Sequence, residues 1–244
     1  IREWIFTYLS FLLANSVVVL TLEYKNELKK FIFKNFQEKK IFVISNGIDV
    51  NQFPLIDKIN GNAISNNSFN IGMAARFTET KMQELLVIML KKIRESDTKF
   101  QIYLYFAGDG PNLKKVKDIV KEEGLEDFVT FDGLLNENDL ANWYQKLDIY
   151  AHASSGETLS ISLLQAMSCG LPIVASDVDG ITNLLKQDQE YGYCVSNDSL
   201  LFADTVINIC KNPFQAKEMG LKASNLVKEK YSHTNMLEKY LSLL

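Results

Sequence analysis

Residues 148–180 read DIYAHASSGETLSISLLQAMSCGLPIVASDVDG, and their pattern organises the chain. The apolar run from Asp148 to Ala151 predicts a strand. Small polar residues around Gly156 make Ala153 to Leu159 a loop. A helix opens near Ser160 and ends at Cys169; Gly170 is its left-handed stop, and Pro172 lies just beyond it. Ile173 to Ala175 is the next buried strand. The loop carries a carboxylate, Glu157. Backbone N–H groups near Ser160 to Ser162 have no intrahelical partner and form a natural anion site.

Outward from this stretch the same alternation repeats. Upstream, strands are expected at 69–75, 102–107 and 128–131. Helices are expected at 81–95, at 111–123 with Pro111 in the first turn, and at 137–147. Downstream come a helix near 181–186, a strand at 193–195 and a helix at 200–210. A helical region over 214–244 has a break near Tyr231 to His233. Six strands alternating with helices imply an α/β fold, a doubly wound parallel sheet with right-handed crossovers. The expected strand order is 3-2-1-4-5-6, with a ligand crevice where the topology reverses between strands one and four. Arg76 follows strand one and Glu157 follows strand four. A cation and a carboxylate therefore stand on the two lips of that crevice, which predicts a pocket for an anionic ligand.

Before this region, residues 1–14 read as a helix, Val17 to Leu20 as a strand, 22–36 as a helix and Ile41 to Ile44 as a strand. Ser45-Asn46-Gly47 is a turn signal. Residues 57–68 are rich in Asn, Ser and Gly and mark the domain boundary, separating a segment over 1–55 from a domain over 56–244. The mostly apolar residues 4–22 are interrupted by Thr7, Ser10, Asn15 and Ser16, so a helix and a buried strand are preferred to a membrane span. The start at Ile1 is read as a cut in a longer protein.

The composition is globular, with 47% hydrophobic and 23% charged residues. A net charge of −4 gives no support for nucleic-acid binding. Three widely spaced cysteines, Cys169, Cys194 and Cys210, fit neither a metal motif nor a redox pair. They are read as reduced thiols of a cytoplasmic protein.

Several side chains are candidates for chemistry. Arg76 and Lys81 flank the turn after strand one and could neutralise a diphosphate, Arg as a fork and Lys as a point charge; the alternative is solvated charge at a helix end. Gly108 after strand two could let backbone approach a ligand, or serve only a tight turn. Glu157 and Gln165 could both face a ligand over the helix N-terminus. His152 could donate into the crevice, although a satisfied, half-buried histidine is the commoner case. Asp177-Val178-Asp179 is set aside as a metal site, because no supporting ligand cluster accompanies it.

The stretch GETLSISLLQAMSCGLPIVASDVDG resembles the signature of retaining family-4 glycosyltransferases of the GT-B fold. That signature is a Glu, seven residues and a second Glu, then Ala-Met-x-x-Gly-x-Pro-Val-Val-Ala-Ser-Asp. VISNGIDVNQF (43–53), AARFTETK (74–81), FAGDGP (106–111) and FVTFDG (128–133) resemble further family segments in the same order. The resemblance implies a Rossmann-like donor domain over 56–244, preceded by the end of an acceptor-side Rossmann-like domain over 1–55. It implies sugar transfer with retention from a nucleoside-diphosphate sugar, a UDP-sugar ahead of a GDP-sugar, with no obligatory metal or other cofactor. Arg76 and Lys81 would hold the diphosphate, Glu157 the sugar, the amides of Thr158, Leu159 and Ser160 the sugar and phosphate, and Gln165 the ribose. The acceptor would be a glycan or lipid-linked molecule of polysaccharide or glycolipid biosynthesis, at the inner face of the membrane in the lipid-linked case. Gln165 in place of the second Glu, Ala75 and Met82 in place of glycines, Asp179 in place of Gly and Asn183 in place of Glu depart from the pattern. Without the acceptor half, the fragment is expected to bind donor but transfer poorly, and residues 1–22 are expected to favour self-association. A non-catalytic nucleotide-sugar module, or another GT-B enzyme such as a sugar-nucleotide epimerase or a phosphorylase, is the alternative.

Overall fold

The structure, a computed structural model, describes residues 13–31, 41–56, 67–185 and 189–243. A small parallel sheet pairs β1 (Val17–Val19) with β2 (Ile41–Val43) around helix α1 (Leu22–Phe31). Then come β3 (Ser68–Ala74), α2 (Gln83–Glu95), β4 (Gln101–Ala107), α3 (Leu113–Glu122) and β5 (Val129–Gly133). They are followed by α4 (Glu137–Tyr144), β6 (Ile149–His152), α5 (Ile161–Ser168), β7 (Ile173–Ser176), α6 (Asp179–Leu185) and β8 (Tyr193–Val195). Helices α7 (Ser199–Lys211), α8 (Pro213–Lys230) and α9 (His233–Leu241) complete the chain.

Strands β3 to β8 form one six-stranded sheet in the order β5-β4-β3-β6-β7-β8, every pair parallel. Numbered from β3, this is the expected 3-2-1-4-5-6. Alternation along β3 separates the two cores. Phe69, Ile71 and Met73 join α2, α3 and α7 on one face, while Ala74 faces the layer of α4, α5, α6 and α8. In α2 the stripe Leu86, Val87, Met89, Leu90 and Ile93 is fully buried, the 3.6-residue signature of a helix covering a sheet. Helix α5 ends as its sequence requires. Gly170 has φ +73, and its N–H and that of Leu171 donate to the carbonyls of Met167 and Ala166, the arrangement that a left-handed glycine makes possible.

Three local expectations change. Helix α2 begins at Gln83, so Lys81 lies in the preceding loop, where its backbone pairs with Ser154. Helix α3 begins at Leu113 after the N-cap Asn112, which leaves Pro111 outside it. Helix α4 ends at Tyr144, and Lys146 and Leu147 continue as turns. The expected helix over 1–14, the self-association surface over 1–22, the end of the helix at 22–36 and most of the 57–68 boundary lie outside the described residues. The break between α8 and α9 falls at 231–232, because the chain pairs there with Ile48: Ile48 N–H donates to Tyr231 and His233 N–H to Ile48. No described helix is long and apolar enough to cross a membrane.

Candidate functional site

Strands β3 and β6 lie side by side, yet their following helices, α2 and α5, cover opposite faces. Their C-terminal loops therefore diverge around a crevice. The loops are tied at its base. Met82 N–H donates to Ala153 O (3.1 Å), Ser155 N–H to Thr80 O (2.9 Å) and Ser154 Oγ to the same carbonyl (3.0 Å). This stitching brings together residues far apart in sequence, and Lys81 Nζ forms an ion pair with Glu157 Oε1.

The pair is largely enclosed, its side chains 19% and 11% exposed. Burial lowers the Lys81 pKa to about 8, because desolvation disfavours the ammonium. Lys81 is thus mostly charged at neutral pH. Arg76 is exposed at the other end of the same loop. Its carbonyl accepts from the buried Gln83 amide at 3.1 Å, which anchors the backbone while the guanidinium stays outside.

On the opposite lip, Thr158 is exposed and Leu159 buried. Ser160 is the N-cap of α5; its Oγ accepts from Leu163 N–H at 3.4 Å. That contact takes up the Leu163 amide, the next one along from the expected cradle. The amides of Ile161 and Ser162, at the first two helical positions, remain directed out of the helix mouth. Gln165 is half-buried in α5, and its Oε1 accepts from the Tyr144 hydroxyl at 3.3 Å. The same hydroxyl lies 2.9 Å from Ser162 O. Tyr144 thus braces the helix mouth, a role sequence reading did not find because α4 carries no motif.

For two residues the structure favours the packing alternative over the binding one. His152 has no exposed surface, so it cannot donate to a ligand in the crevice; its Nε2 lies 2.7 Å from Glu157 Oε1 instead. Gly108 stands at the end of β4 with φ +134, and a Cβ there would sit 2.1 Å from Ala75 O. Its amide donates to Gly133 O at 2.7 Å. The glycine is explained by loop packing beneath Arg76, and the structure brings it near the lip only through that loop.

Sequence reading also missed Gly180, in the first turn of α6. A Cβ there would meet Glu157 O at 2.1 Å and Thr158 O at 2.6 Å, so α6 presses on the backbone of the carboxylate lip. Beyond it a cleft of about 400 Å³ opens between this lip and the small sheet, lined by Leu20, Val43, Leu159, Gly180, Asn183 and Tyr231. Asp177 accepts from Thr182 Oγ1 at 2.8 Å within its own turn. Among the described residues, no group of three or more His, Cys, Asp or Glu side chains is arranged to hold a metal ion. The cysteines are free, and burial pushes the Cys169 and Cys210 thiols up to about 12 and Cys194 to about 11. They are poor nucleophiles.

The arrangement, two cations on one lip and a braced carboxylate beside two helix-end amides on the other, suits a ligand that is anionic at one end and rich in hydroxyls at the other. Known proteins agree in fold and family. The chain is 26% identical over 233 residues to a poly(ribitol-phosphate) alpha-N-acetylglucosaminyltransferase of Staphylococcus aureus, covering 94% of this chain and 43% of that protein. It is 27% identical over 160 residues to an N-acetyl-alpha-D-glucosaminyl L-malate synthase of Bacillus anthracis, covering 66% and 40%. The chain thus spans about two fifths of the length of these relatives. Among solved structures, Staphylococcus aureus TarM superposes with a TM-score of 0.82 at 22% identity, covering all of this chain and 46% of TarM. Anabaena HepE in complex with UDP and glucose superposes with a TM-score of 0.80 at 20% identity, covering 97% and 65%. These likenesses establish a six-stranded α/β sheet of the GT-B type. The profile of the family described as glycosyl transferases group 1 matches residues 56–226, most of the chain and all of the crevice described above, and the chain therefore belongs to that family.

Proposed function

We propose that residues 56–244 are the donor-binding domain of a retaining glycosyltransferase, and that residues 1–55 are the end of its acceptor-side domain with the connection between the two. The observation that carries this reading is the crevice between β3 and β6, with Arg76 and Lys81 on one lip and Glu157 and the mouth of α5 on the other. A nucleoside diphosphate meets the cations and the Ile161 and Ser162 amides. These same groups stabilise the charge that develops on the leaving diphosphate. Glu157 takes a sugar hydroxyl, Thr158 to Ser160 line the sugar and phosphate, and Gln165 offers its amide to the ribose. Gly108 serves the site through the loop beneath Arg76.

The donor is a UDP-sugar ahead of a GDP-sugar, because HepE holds UDP with glucose. Relatives named for a poly(ribitol-phosphate) acceptor and for alpha-monoglucosyldiacylglycerol synthesis favour a glycan or lipid-linked acceptor. A cytoplasmic site of action, at the membrane face when the acceptor is a lipid, is part of the same reading. The chain by itself is expected to bind donor and to transfer sugar weakly.

Calorimetric titration with UDP, GDP and ADP tests the reading, repeated with Arg76→Ala and with EDTA. UDP is expected to bind at micromolar concentration, to lose about tenfold or more in Arg76→Ala, as for one charge-assisted hydrogen bond, and to be indifferent to EDTA. Binding of no nucleotide, or binding untouched by Arg76→Ala, refutes the donor site.

A further inference from the structure

Beneath Glu157 a buried chain of side chains runs from the backbone of β3 to the crevice. Tyr150 Oη lies 3.2 Å from Ala74 O, 3.4 Å from Ala74 N and 3.4 Å from His152 Nδ1. The two rings are near parallel, their centroids 6.0 Å apart. His152 Nε2 in turn lies 2.7 Å from Glu157 Oε1, the oxygen that Lys81 also holds.

We propose that His152 is a positioning residue, which holds Glu157 through an Nε2–H donor in a neutral tautomer set by Tyr150 and leaves the second carboxylate oxygen for a hydroxyl of the donor sugar. Only the last clause rests on the donor-site reading above.

The tautomer follows from the geometry. An Nε2 lone pair at 2.7 Å from a carboxylate oxygen would be repelled, so the proton is on Nε2. Nδ1 is then the acceptor, and the Tyr150 hydroxyl is the donor that faces it. Tyr150 shares its one proton between Nδ1 and Ala74 O, and its oxygen accepts from Ala74 N–H. The ionisable groups set against the imidazole are Glu157, Lys81 and Tyr150. Burial, then the Lys81 charge, keep the ring from taking a second proton and lower its pKa to about 3. Burial also pushes Tyr150 up to about 12, so the phenol keeps its proton. Lys81 alone would hold Glu157 loosely, because an ammonium on a flexible stem has three rotatable donors. The imidazole adds direction without adding charge.

The chain has two histidines, so imidazole ¹⁵N spectra read His152 directly once His233→Gln assigns the other. The proton is expected on Nε2 at every pH from about 5 to about 8, where an unperturbed histidine titrates. A proton on Nδ1, or a ring that becomes charged in this range, overturns the proposal. A second arm titrates the unaltered chain, His152→Leu and His152→Gln with UDP, UDP-glucose and UDP-N-acetylglucosamine. In the Leu variant UDP should bind within about twofold of the unaltered chain, while the affinity added by the sugar falls about tenfold. The Gln variant, whose side chain can place an amide N–H near the same point, should restore it. Equal losses for UDP and UDP-sugar, no loss at all, or a sugar that adds no affinity even in the unaltered chain overturn the positioning role. Failure of the unaltered chain to bind UDP defeats the donor-site reading instead, and the spectra still decide the tautomer.

Discussion

Glu157 stands between two glycines of opposite character, and substituting each with alanine separates packing from chemistry. Gly156 precedes it directly, has open space where a Cβ would go and does not adopt a left-handed φ. Gly180 faces it across the turn of α6. A Cβ at Gly180 would lie 2.1 Å from Glu157 O, 2.6 Å from Glu157 C and 2.6 Å from Thr158 O. All three are backbone atoms, so no side-chain rotation relieves the clash. Either α6 or the carboxylate lip must move by about 1 Å, at the upper end of the roughly 1–3 kcal/mol that overpacking costs. Better helix propensity returns up to about 1 kcal/mol, which leaves about 2 kcal/mol. For a chain of this size that lowers Tm by about 4–8 °C. A shift of about 1 Å in a positioned group costs about 100-fold in catalysis, so transfer by the proposed enzyme should fall by about that factor. Gly156→Ala should instead leave Tm unchanged or raise stability by about 0.4–1 kcal/mol, because the unfolded chain loses freedom. Differential scanning calorimetry and transfer assays on both variants decide the matter. A Gly180→Ala protein that melts and transfers like the unaltered one would falsify the argument that α6 sets the position of Glu157.

Raising the pH through about 8 should weaken UDP binding as the buried Lys81 loses its proton; in Lys81→Met, titrated by the same calorimetry, this pH dependence should vanish. Acid should destabilise the fold through His152. The unfolded ring takes a proton below about 6.5 and the folded ring only near 3, so its stabilisation is complete above about 6.5 and is lost as pH falls toward 3. His152→Gln should flatten the plot of Tm against pH between those values, and an unchanged plot would count against the burial of a neutral ring. Asp198 caps α7 by accepting from Leu200 and Leu201 N–H at 2.8 and 3.0 Å. Asp198→Ala should cost about 1 kcal/mol by urea melts and leave UDP affinity unaltered.

The strand order could be read in advance because each element announces itself locally. Phe69, Ile71 and Met73 alternate, the buried stripe of α2 recurs with helical period, and Gly170 stops α5. Once six strands alternate with helices, the right-handed crossover removes most other topologies. The boundaries of α2 and α3 were missed by two residues each. The sequence pattern puts Lys81 and Pro111 in first turns, but the ties of Met82 to Ala153 and of Asn112 to Phe77 hold the chain in loops there.

The amino-acid sequence by itself determined the sheet, the crevice and the residue types on its two lips, because periodicity, helix stops and motif spacing are local properties of the chain. Only the tertiary structure decided which of those residues meet. Lys81 and Glu157 are 76 positions apart, and their contact exists because β3 and β6 are neighbours and their loops are stitched together. His152, adjacent to the motif and polar, could be a donor into the crevice or a satisfied, half-buried histidine; the sheet decides by burying it fully under Glu157 beside Tyr150. Gly180 carries no signal of its own in the sequence, and its role appears only where α6 folds back on the Glu157 backbone. Such contacts depend on how separate elements approach one another, and no local pattern of residues encodes that distance.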